Sequence, residues 1–403
     1  MTIKTVKDVD VTSKKVLVRV DFNVPMGENG DIRDDTRIRV CLPTIRHLVD
    51  KRARVILCSH LDRPKGKIVE SLRLAPVARR LSELLGKPVE SLRECTGPAV
   101  EKAVSAMRDG DIVLLENLRF YPGEEKNDPG FARALARLAD IYVNDAFSAS
   151  HRAHASVVGI TDYLPSVAGF LMEKELNILG KLLENPAKPF AAVIGGAKVS
   201  DKLEVLDNIV TRVSMFLLGG GMAATFLKSE GYRTGKSLVE DDKLQYVRDL
   251  SEKARSLDVG LFLPIDVVIS ETLDGSTPAR TVAVSDIPDG WAIADIGPQT
   301  ISNYIRELKK CKTVFWNGPM GVFEVPEFSK GTREIATAIS NLDAVTVVGG
   351  GSTTEAVNSL GLADKITHIS TGGGATLEFL SGKPLPGVTA LAEASGRILA
   401  RTG

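Results

Sequence analysis

Short apolar runs of four to seven residues alternate along this chain with longer stretches in which apolar positions recur every three or four residues. The first pattern marks strands buried on both faces and the second marks amphipathic helices, so the alternation predicts βαβ units and doubly wound parallel sheets, an α/β protein. RVILCS (54–59) followed by APVARRLSELLG (75–86) is one such pair, and VTVVG (345–349) followed by TTEAVNSLG is another. Gly86 and Gly361 fall at the expected helix C-caps. Ser166 to Glu184 predicts a broad amphipathic helix, with Val167, Leu171, Ile178 and Leu182 on one stripe and Leu176, Leu179 and Leu183 beside it. Asn185-Pro186-Ala187-Lys188-Pro189 cannot continue a helix, and a domain boundary is expected there.

The two halves end their apolar runs differently. FAAVIGGAK (190–198), MFLLGGG (215–221), VTVVGGGST (345–353) and HISTGGGAT (368–376) all close on glycine, where backbone N–H groups and helix N-termini can approach an anion, phosphate above all. In the first half, Asp21 and Asn23 follow VLVRV, His60 and Arg63 follow VILCS, and Arg119 follows IVLLENL. With Arg37, His151 and Arg152 they form a candidate anion grip, since the planar arginine fork pairs two oxygens of a phosphate or carboxylate. The chain reads as a two-substrate phosphoryl-transfer enzyme.

A length of 403 residues fits two domains. Lys plus Arg and Asp plus Glu both number 51, which argues against a general nucleic-acid or membrane-surface binder. Cys41, Cys58, Cys95 and Cys311 are scattered without zinc spacing, the N-terminus has no signal-like apolar core, and nowhere do 18 apolar residues run together. A reducing, cytoplasmic setting is expected. GYRTGKS (231–237) approaches a P-loop but has Glu230 where the first glycine belongs, and no G-x-G-x-x-G fingerprint occurs, which disfavours a dehydrogenase. His151 and His154 lack a third metal ligand nearby, so a local anion contact is the better reading. A helix starting near Val199 would put Lys198 and Lys202 one turn apart and able to reach one phosphate group; a lone GGxK would more often be a tight turn with two solvated lysines, but the three other glycine-ended runs weigh against that here. In WNGPMGVFE (316–324), Glu324 falls where a carboxylate could accept hydrogen bonds from ribose hydroxyls, or is an ordinary surface glutamate.

VRVDFNVP (18–25), RIRVCLPTI (37–45), SHLDRP (59–64), LLENLRF (114–120), VNDAFSASHRAHAS (143–156), GGAKVSDK (195–202), WNGPMGVFE, VVGGGST and STGGGATLEFL together resemble, in order and over nearly the whole chain, the signature stretches of phosphoglycerate kinases. The resemblance implies two doubly wound domains joined by a helix, with a cleft between them. Residues 1–168 would bind 3-phosphoglycerate, 169–187 would form the helix and linker, 188–390 would bind nucleotide, and 391–403 would pack back on the first domain. It further implies that Asp21, Phe22, Asn23, Arg37, His60, Leu61, Asp62, Arg63, Arg119 and Arg152 surround the glycerate ligand. The nucleotide would meet Gly195, Lys198, Lys202, Gly219, Gly220, Asn317, Pro319, Glu324, Gly350, Gly351, Ser352 and Thr353. Arg37, Lys198 and Lys202 would be catalytic, with the backbone of Gly372 and Gly373 stabilising the transition state. The implied reaction is reversible transfer between ATP and 3-phosphoglycerate, giving ADP and 1,3-bisphosphoglycerate, with Mg2+ accompanying the nucleotide and the enzyme a monomer.

Three positions depart from the family pattern. Asp62 replaces a glycine and brings a carboxylate beside the basic site; Ser352 replaces an aspartate that helps hold magnesium; Ile293 fills a position often glycine or alanine near the adenine pocket. Ser352 is expected to be a weak metal ligand or to cap its helix. A kinase with an unphosphorylated acceptor such as carbamate or acetate would not need so many basic side chains. A catalytically silent nucleotide-binding regulator would be expected to lack Arg37 or Lys198.

Overall fold

The computed structural model describes the backbone of residues 3–402 and the side chains of residues 3–397. Fifteen strands are described: β1 Lys15–Arg19, β2 Arg54–Cys58, β3 Glu90–Ser91, β4 Ile112–Leu114, β5 Ile141–Asn144, β6 Ser166–Ala168, β7 Phe190–Ile194, β8 Met215–Leu218, β9 Gly260–Phe262, β10 Asp266–Ser270, β11 Arg280–Ala283, β12 Ala292–Ile296, β13 Thr313–Asn317, β14 Val345–Gly349 and β15 His368–Ile369. They form two six-stranded parallel sheets, β3-β4-β2-β1-β5-β6 and β15-β14-β13-β7-β8-β9, with helices between successive strands. The protein is thus α/β with two parallel-sheet domains. β10, β11 and β12 add a small antiparallel sheet that the parallel pattern does not foresee.

One compact unit runs to Asn177 and resumes at Pro384; the other spans Ile178–Lys383. The central strands of each sheet, such as Val16–Val18 and Ala191–Val193, are fully buried, as expected of parallel strands covered on both faces. In the first unit, Val16, Val18, Val55, Leu57 and Val143 pack against Ile45, Leu48, Val77 and Leu81 of the covering helices. In the second, Val193, Leu217, Val314 and Trp316 pack against Ile301, Tyr304, Ile335 and Ile339.

The helix expected from Ser166 starts later. Ser166–Ala168 instead pairs with Tyr142–Asn144 as the edge strand β6, and the helix covers Phe170–Glu184. Its first amides are held by side chains from elsewhere: Phe170 N–H donates to Thr44 Oγ1 at 2.9 Å, and Leu171 and Met172 N–H donate to Asp145 Oδ1 at 2.8 and 3.3 Å. The unit division falls within this helix, upstream of the Asn185–Pro189 run. The last helix, Pro386–Thr402, lies in the first unit: Gly387 N–H donates to Ser150 O, Arg397 to Thr161 O, and Lys4 N–H to Ser395 Oγ.

In both sheets the strand order reverses once. The chain leaves β4 on one side of β1 to enter β5 on the other, and likewise passes from the β7-β8-β9 side to β13. The carboxyl ends of β1 and β5, and of β7 and β13, are therefore the switch points at which ligands settle in such sheets.

Candidate active site

At the β1/β5 switch point, Asp21 and Ser148 meet: the Ser148 hydroxyl and the Arg37 guanidinium both bond Asp21 Oδ2, and Asn23 N–H donates to Oδ1 at 3.0 Å. Burial opposes ionisation of Asp21, but the Arg37 guanidinium and these hydrogen bonds outweigh it and hold the carboxyl well below its usual range. His60 lies 4.0 Å from Asp21 Oδ1, and Arg19 approaches its Nδ1 at 3.1 Å. Burial, opposed by Asp21 and reinforced by Arg19, Arg119 and Arg152, drives its pKa well down, so the ring is neutral at pH 7. With an arginine N–H donating to Nδ1, the neutral ring carries its proton on Nε2.

Arg119 is buried, its NH1 donates to Asp62 O at 2.7 Å, and Nε makes no hydrogen bond, with Glu125 3.5 Å away. Burial, with Arg152 and Arg19 nearby, lowers its pKa to about 10, which leaves it charged at neutral pH. Arg152 is half-buried and donates to His151 Nε2 at 3.2 Å. Arg63 is exposed and forms no hydrogen bond or ion pair among the described residues. The side chains of Phe22 and Leu61 belong to the core, and their backbones are the polar parts: Phe22 N–H donates to Ser59 Oγ, and Asn117 brackets Leu61 through both amide atoms.

Asp62 has a φ of 53°, a left-handed conformation that glycine adopts freely and aspartate tolerates better than most residues. Its N–H donates to Asn23 Oδ1 and its carbonyl accepts from Arg119, while the side chain is exposed. The site thus uses the backbone of residue 62, which is why a glycine position admits this aspartate.

Beneath these groups lies a buried layer that the motifs did not single out. Arg19 is fully buried; its Nε donates to Ser156 Oγ at 2.9 Å and NH1 to Val20 O. Ser156 in turn donates through Oγ and N to the buried Glu124 at 2.6 and 3.0 Å. Burial, against Arg19 and these hydrogen bonds, raises the Glu124 pKa, and the pKa of His154 falls to about 3 through burial with Arg19, Arg119 and Arg152 nearby. The signal available in sequence was an arginine inside an otherwise apolar strand, VLVRV.

At the β7/β13 switch point the glycine loops interlock. Gly195 and Gly196 N–H donate to Asn317 O and Pro319 O, Gly219 to Ile194 O, and Gly220 to Met320 O. A Cβ on Gly195 would strike Pro319 O, and one on Gly220 would come within 2.6 Å of Gly196 N. These glycines therefore permit close approach of loops, and their amides are engaged with one another and not turned toward an anion. The helix expected at Val199 starts at Leu203, so Lys198 lies in the loop with an exposed side chain and Lys202 at the N-cap. Lys202 Nζ donates to Asn317 Oδ1, while Asn317 Nδ2 donates to Gly349 O at 2.8 Å; burial lowers the Lys202 pKa.

Gly350, at φ 93°, leads into the helix Gly351–Ser359 without a side-chain cap. The capping role considered for Ser352 is thereby corrected: Ser352 sits inside the first turn with an exposed side chain, and the engaged hydroxyl is that of Thr353, which accepts Gly318 N–H at 2.7 Å. The first-turn amides of this helix, which follows β14 beside β13, have no partner within the helix. Glu324 is exposed and Pro319 half-exposed. Gly373, at φ 55°, precedes the helix Gly374–Leu380, and Gly372 N–H donates to Ser370 Oγ at 3.2 Å.

Residues 6–383 match the family model described as phosphoglycerate kinase. The chain belongs to the phosphoglycerate kinase family. It is 56% identical over 389 residues to the phosphoglycerate kinase of Moorella thermoacetica, covering 96% of this chain and 99% of that one. It is 57% identical over 391 residues to that of Pelotomaculum thermopropionicum, covering 97% and 99%. Among solved structures, the phosphoglycerate kinase of Coxiella burnetii superposes with a TM-score of 0.88 at 40% identity, covering 98% of this chain and 100% of that one. The enzyme from Pyrococcus horikoshii gives 0.85 at 34% identity, with coverage of 98% and 100%. As a member of this family the chain is a kinase of glycolysis, catalysing reversible phosphoryl transfer between ATP and 3-phosphoglycerate.

Proposed function

We propose that the two switch points divide this reaction, the first unit holding 3-phosphoglycerate or 1,3-bisphosphoglycerate and the second holding ATP or ADP as the magnesium complex. The observation that carries the assignment is the asymmetry of charge and donors. The β1/β5 end gathers Arg37, Arg119, Arg152 and a neutral His60 against the paired carboxylates of Asp21 and Glu125, a net positive cluster that suits a trianionic phosphoglycerate. The β7/β13 end offers a helix N-terminus beyond Gly350 and two lysines, which suits a nucleotide polyphosphate.

The acceptor carboxylate is already ionised at neutral pH, so transfer needs no general base. Catalysis then consists of in-line positioning and neutralisation of charge on the moving phosphoryl group by Arg37, Lys198 and Lys202, helped by backbone around Gly372 and Gly373. Magnesium enters as part of the nucleotide substrate. Among the described residues no group of three His, Cys, Asp or Glu is placed to hold a metal, and the hydroxyl of Ser352 is a weak hard-oxygen donor, so phosphate oxygens and water supply most of its coordination. Because transfer in open water would lose phosphate to hydrolysis, the cycle includes a hinge-bending step that excludes solvent. The four buried thiols, none in a disulfide, support a reducing cytoplasm, and the enzyme acts as a monomer.

A coupled assay with ATP, magnesium and 3-phosphoglycerate tests the reaction. Turnover with acetate or carbamate in its place, or none with 3-phosphoglycerate, would refute this assignment. Size-exclusion chromatography with light scattering tests the monomer.

A further inference from the structure

Glu240 lies outside every group considered so far, on the segment between the helices Met222–Ser229 and Leu244–Ser256. Its Oε2 accepts the N–H of Val199 at 2.6 Å and the N–H of Ser200 at 3.1 Å. Its own N–H donates to Oγ1 of Thr225 at 3.2 Å, and Thr225 is buried on the helix that follows Gly219–Gly221. One half-buried glutamate therefore ties the loop bearing Lys198 to the helix behind the neighbouring glycine loop.

The chemistry of this contact is specific. Two successive amides converging on one point form an anion-binding nest, and a carboxylate fills it with charge-assisted hydrogen bonds. Burial works against ionisation of Glu240, but the Ser200 side chain and amide and the Val199 amide outweigh it and keep the pKa below the usual range. From there the chain makes one turn, Lys202 N–H donating to Val199 O at 2.8 Å, and the helix begins at Leu203. On its other side the loop is anchored by Gly196, whose N–H donates to Pro319 O and whose carbonyl accepts Met222 N–H, and Val199 packs its side chain fully inside. Lys198 stands between these two anchors. Its ammonium has no hydrogen-bond or ion-pair partner among the described residues, so the backbone alone sets where the side chain starts.

We propose that Glu240 is a positioning residue for phosphoryl transfer, fixing the Val199–Ser200 backbone so that Lys198 is aimed at the transferring group. This rests on the assignment of Lys198 above. A positioned cation contributes to catalysis only if its geometry is held, so loosening the loop lowers kcat before it alters binding of the other substrate.

The test is a double-mutant cycle on the full chain, with kcat and both KM values measured for K198A, E240A, E240Q and K198A/E240A. K198A is expected to lower kcat by about 10² to 10³, and E240A by roughly tenfold with KM for 3-phosphoglycerate changed less than about twofold. E240Q, whose amide oxygen can still accept both N–H groups, is expected to recover most of the loss. In the K198A background E240A is expected to do nothing further, because the group it positions is gone. Multiplicative effects of the two substitutions, an E240Q no better than E240A, or an E240A that changes only KM would each overturn the proposal. A K198A enzyme with unaltered kcat would overturn the Lys198 assignment and the proposal with it, whereas slow K198A with multiplicative effects overturns the proposal alone. If E240A does not fold, E240D keeps the charge but not the reach and serves in the same cycle.

Discussion

Arg37 and Asp21 form an ion pair in which the carboxylate is nearly buried while the guanidinium remains about one-third exposed. The partner at the protein side is fixed and the arginine still presents an edge to solvent. Arg37 therefore serves two ends, neutralising a buried carboxylate and, in the function proposed, keeping donors for the phosphoglycerate.

Separating those ends gives a first prediction. R37A should lower kcat by about 10² to 10³, as loss of a transition-state cation does, and also destabilise the fold by ~1–3 kcal/mol, since Ser148 and Asn23 still bond Asp21 but its counter-charge is lost. R37A/D21N should regain most of the stability and none of the activity. Thermal melts alongside steady-state rates check this; recovery of activity in the double variant would show that Arg37 acts only on the fold.

The second prediction follows from the buried Nε of Arg119, which lacks a hydrogen bond. R119A or R152A should weaken 3-phosphoglycerate binding by roughly 10- to 100-fold, the worth of one or two charge-assisted hydrogen bonds, while ADP binding to the same protein stays within about twofold. K202A should do the reverse. Calorimetry with each ligand on the full chain decides, and equal losses for both ligands would mean that the two sites are not separate.

Asp295 gives a third, in the pH dependence of stability. Its carboxylate is buried, accepts among the described residues only the N–H groups of Gly331 at 2.6 Å and Ile296 at 2.9 Å, and burial outweighs these to raise its pKa to about 7. A raised carboxyl pKa means that the native state keeps the proton over a range where the unfolded chain has lost it. Stability from this group is thus full below about pH 4 and is lost as pH rises toward 7. The total is on the order of 4 kcal/mol. In D295N this part of the pH dependence should vanish, so that its melting temperature gains on wild type as pH increases from 4 to 8. Parallel melting curves across that range, offset by a constant amount, would show that Asp295 does not titrate there.

The sheets and their order of elements were legible in sequence because parallel strands buried on both faces leave uninterrupted apolar runs, as FAAVI and RVILC do. What was not legible came from contacts distant in sequence. The helix starts at Leu203 and not near Val199 because the chain first makes a turn in which Lys202 N–H donates to Val199 O, and the contact that holds the Val199 and Ser200 amides comes from Glu240, some forty residues on. The strand at Ser166–Ala168 looked helical because its apolar residues fit either period until β5 is beside it. Glycines at the carboxyl ends of strands were legible as loops, but not their mechanical role, which depends on how close Gly195, Gly220 and Gly318 come. Arg19 was missed because the candidates were sought just past the apolar runs, whereas this arginine lies inside β1, fully buried, bonding Ser156 and approaching His60.

The last prediction concerns Ser352. Its helix has no side-chain cap, and its hydroxyl lies exposed in the first turn, so removing that hydroxyl should cost little: S352A is expected to change stability by less than ~0.5 kcal/mol. S352D, in contrast, places a carboxylate on the exposed face of the turn that the nucleotide phosphates are proposed to occupy, where it offers magnesium a stronger oxygen ligand. It should also gain from the positive end of the helix. Apparent magnesium affinity in the presence of ADP should therefore tighten in S352D. Glu355 is exposed one turn further on, close enough in sequence to act through water, and E355A should loosen the same affinity in the unmodified background. Magnesium titrations at fixed ADP, followed by the rate of ATP formation, measure both shifts. An unmoved midpoint in both variants would leave the metal bound by nucleotide and water alone, and a large loss of stability in S352A would restore a structural role for the hydroxyl.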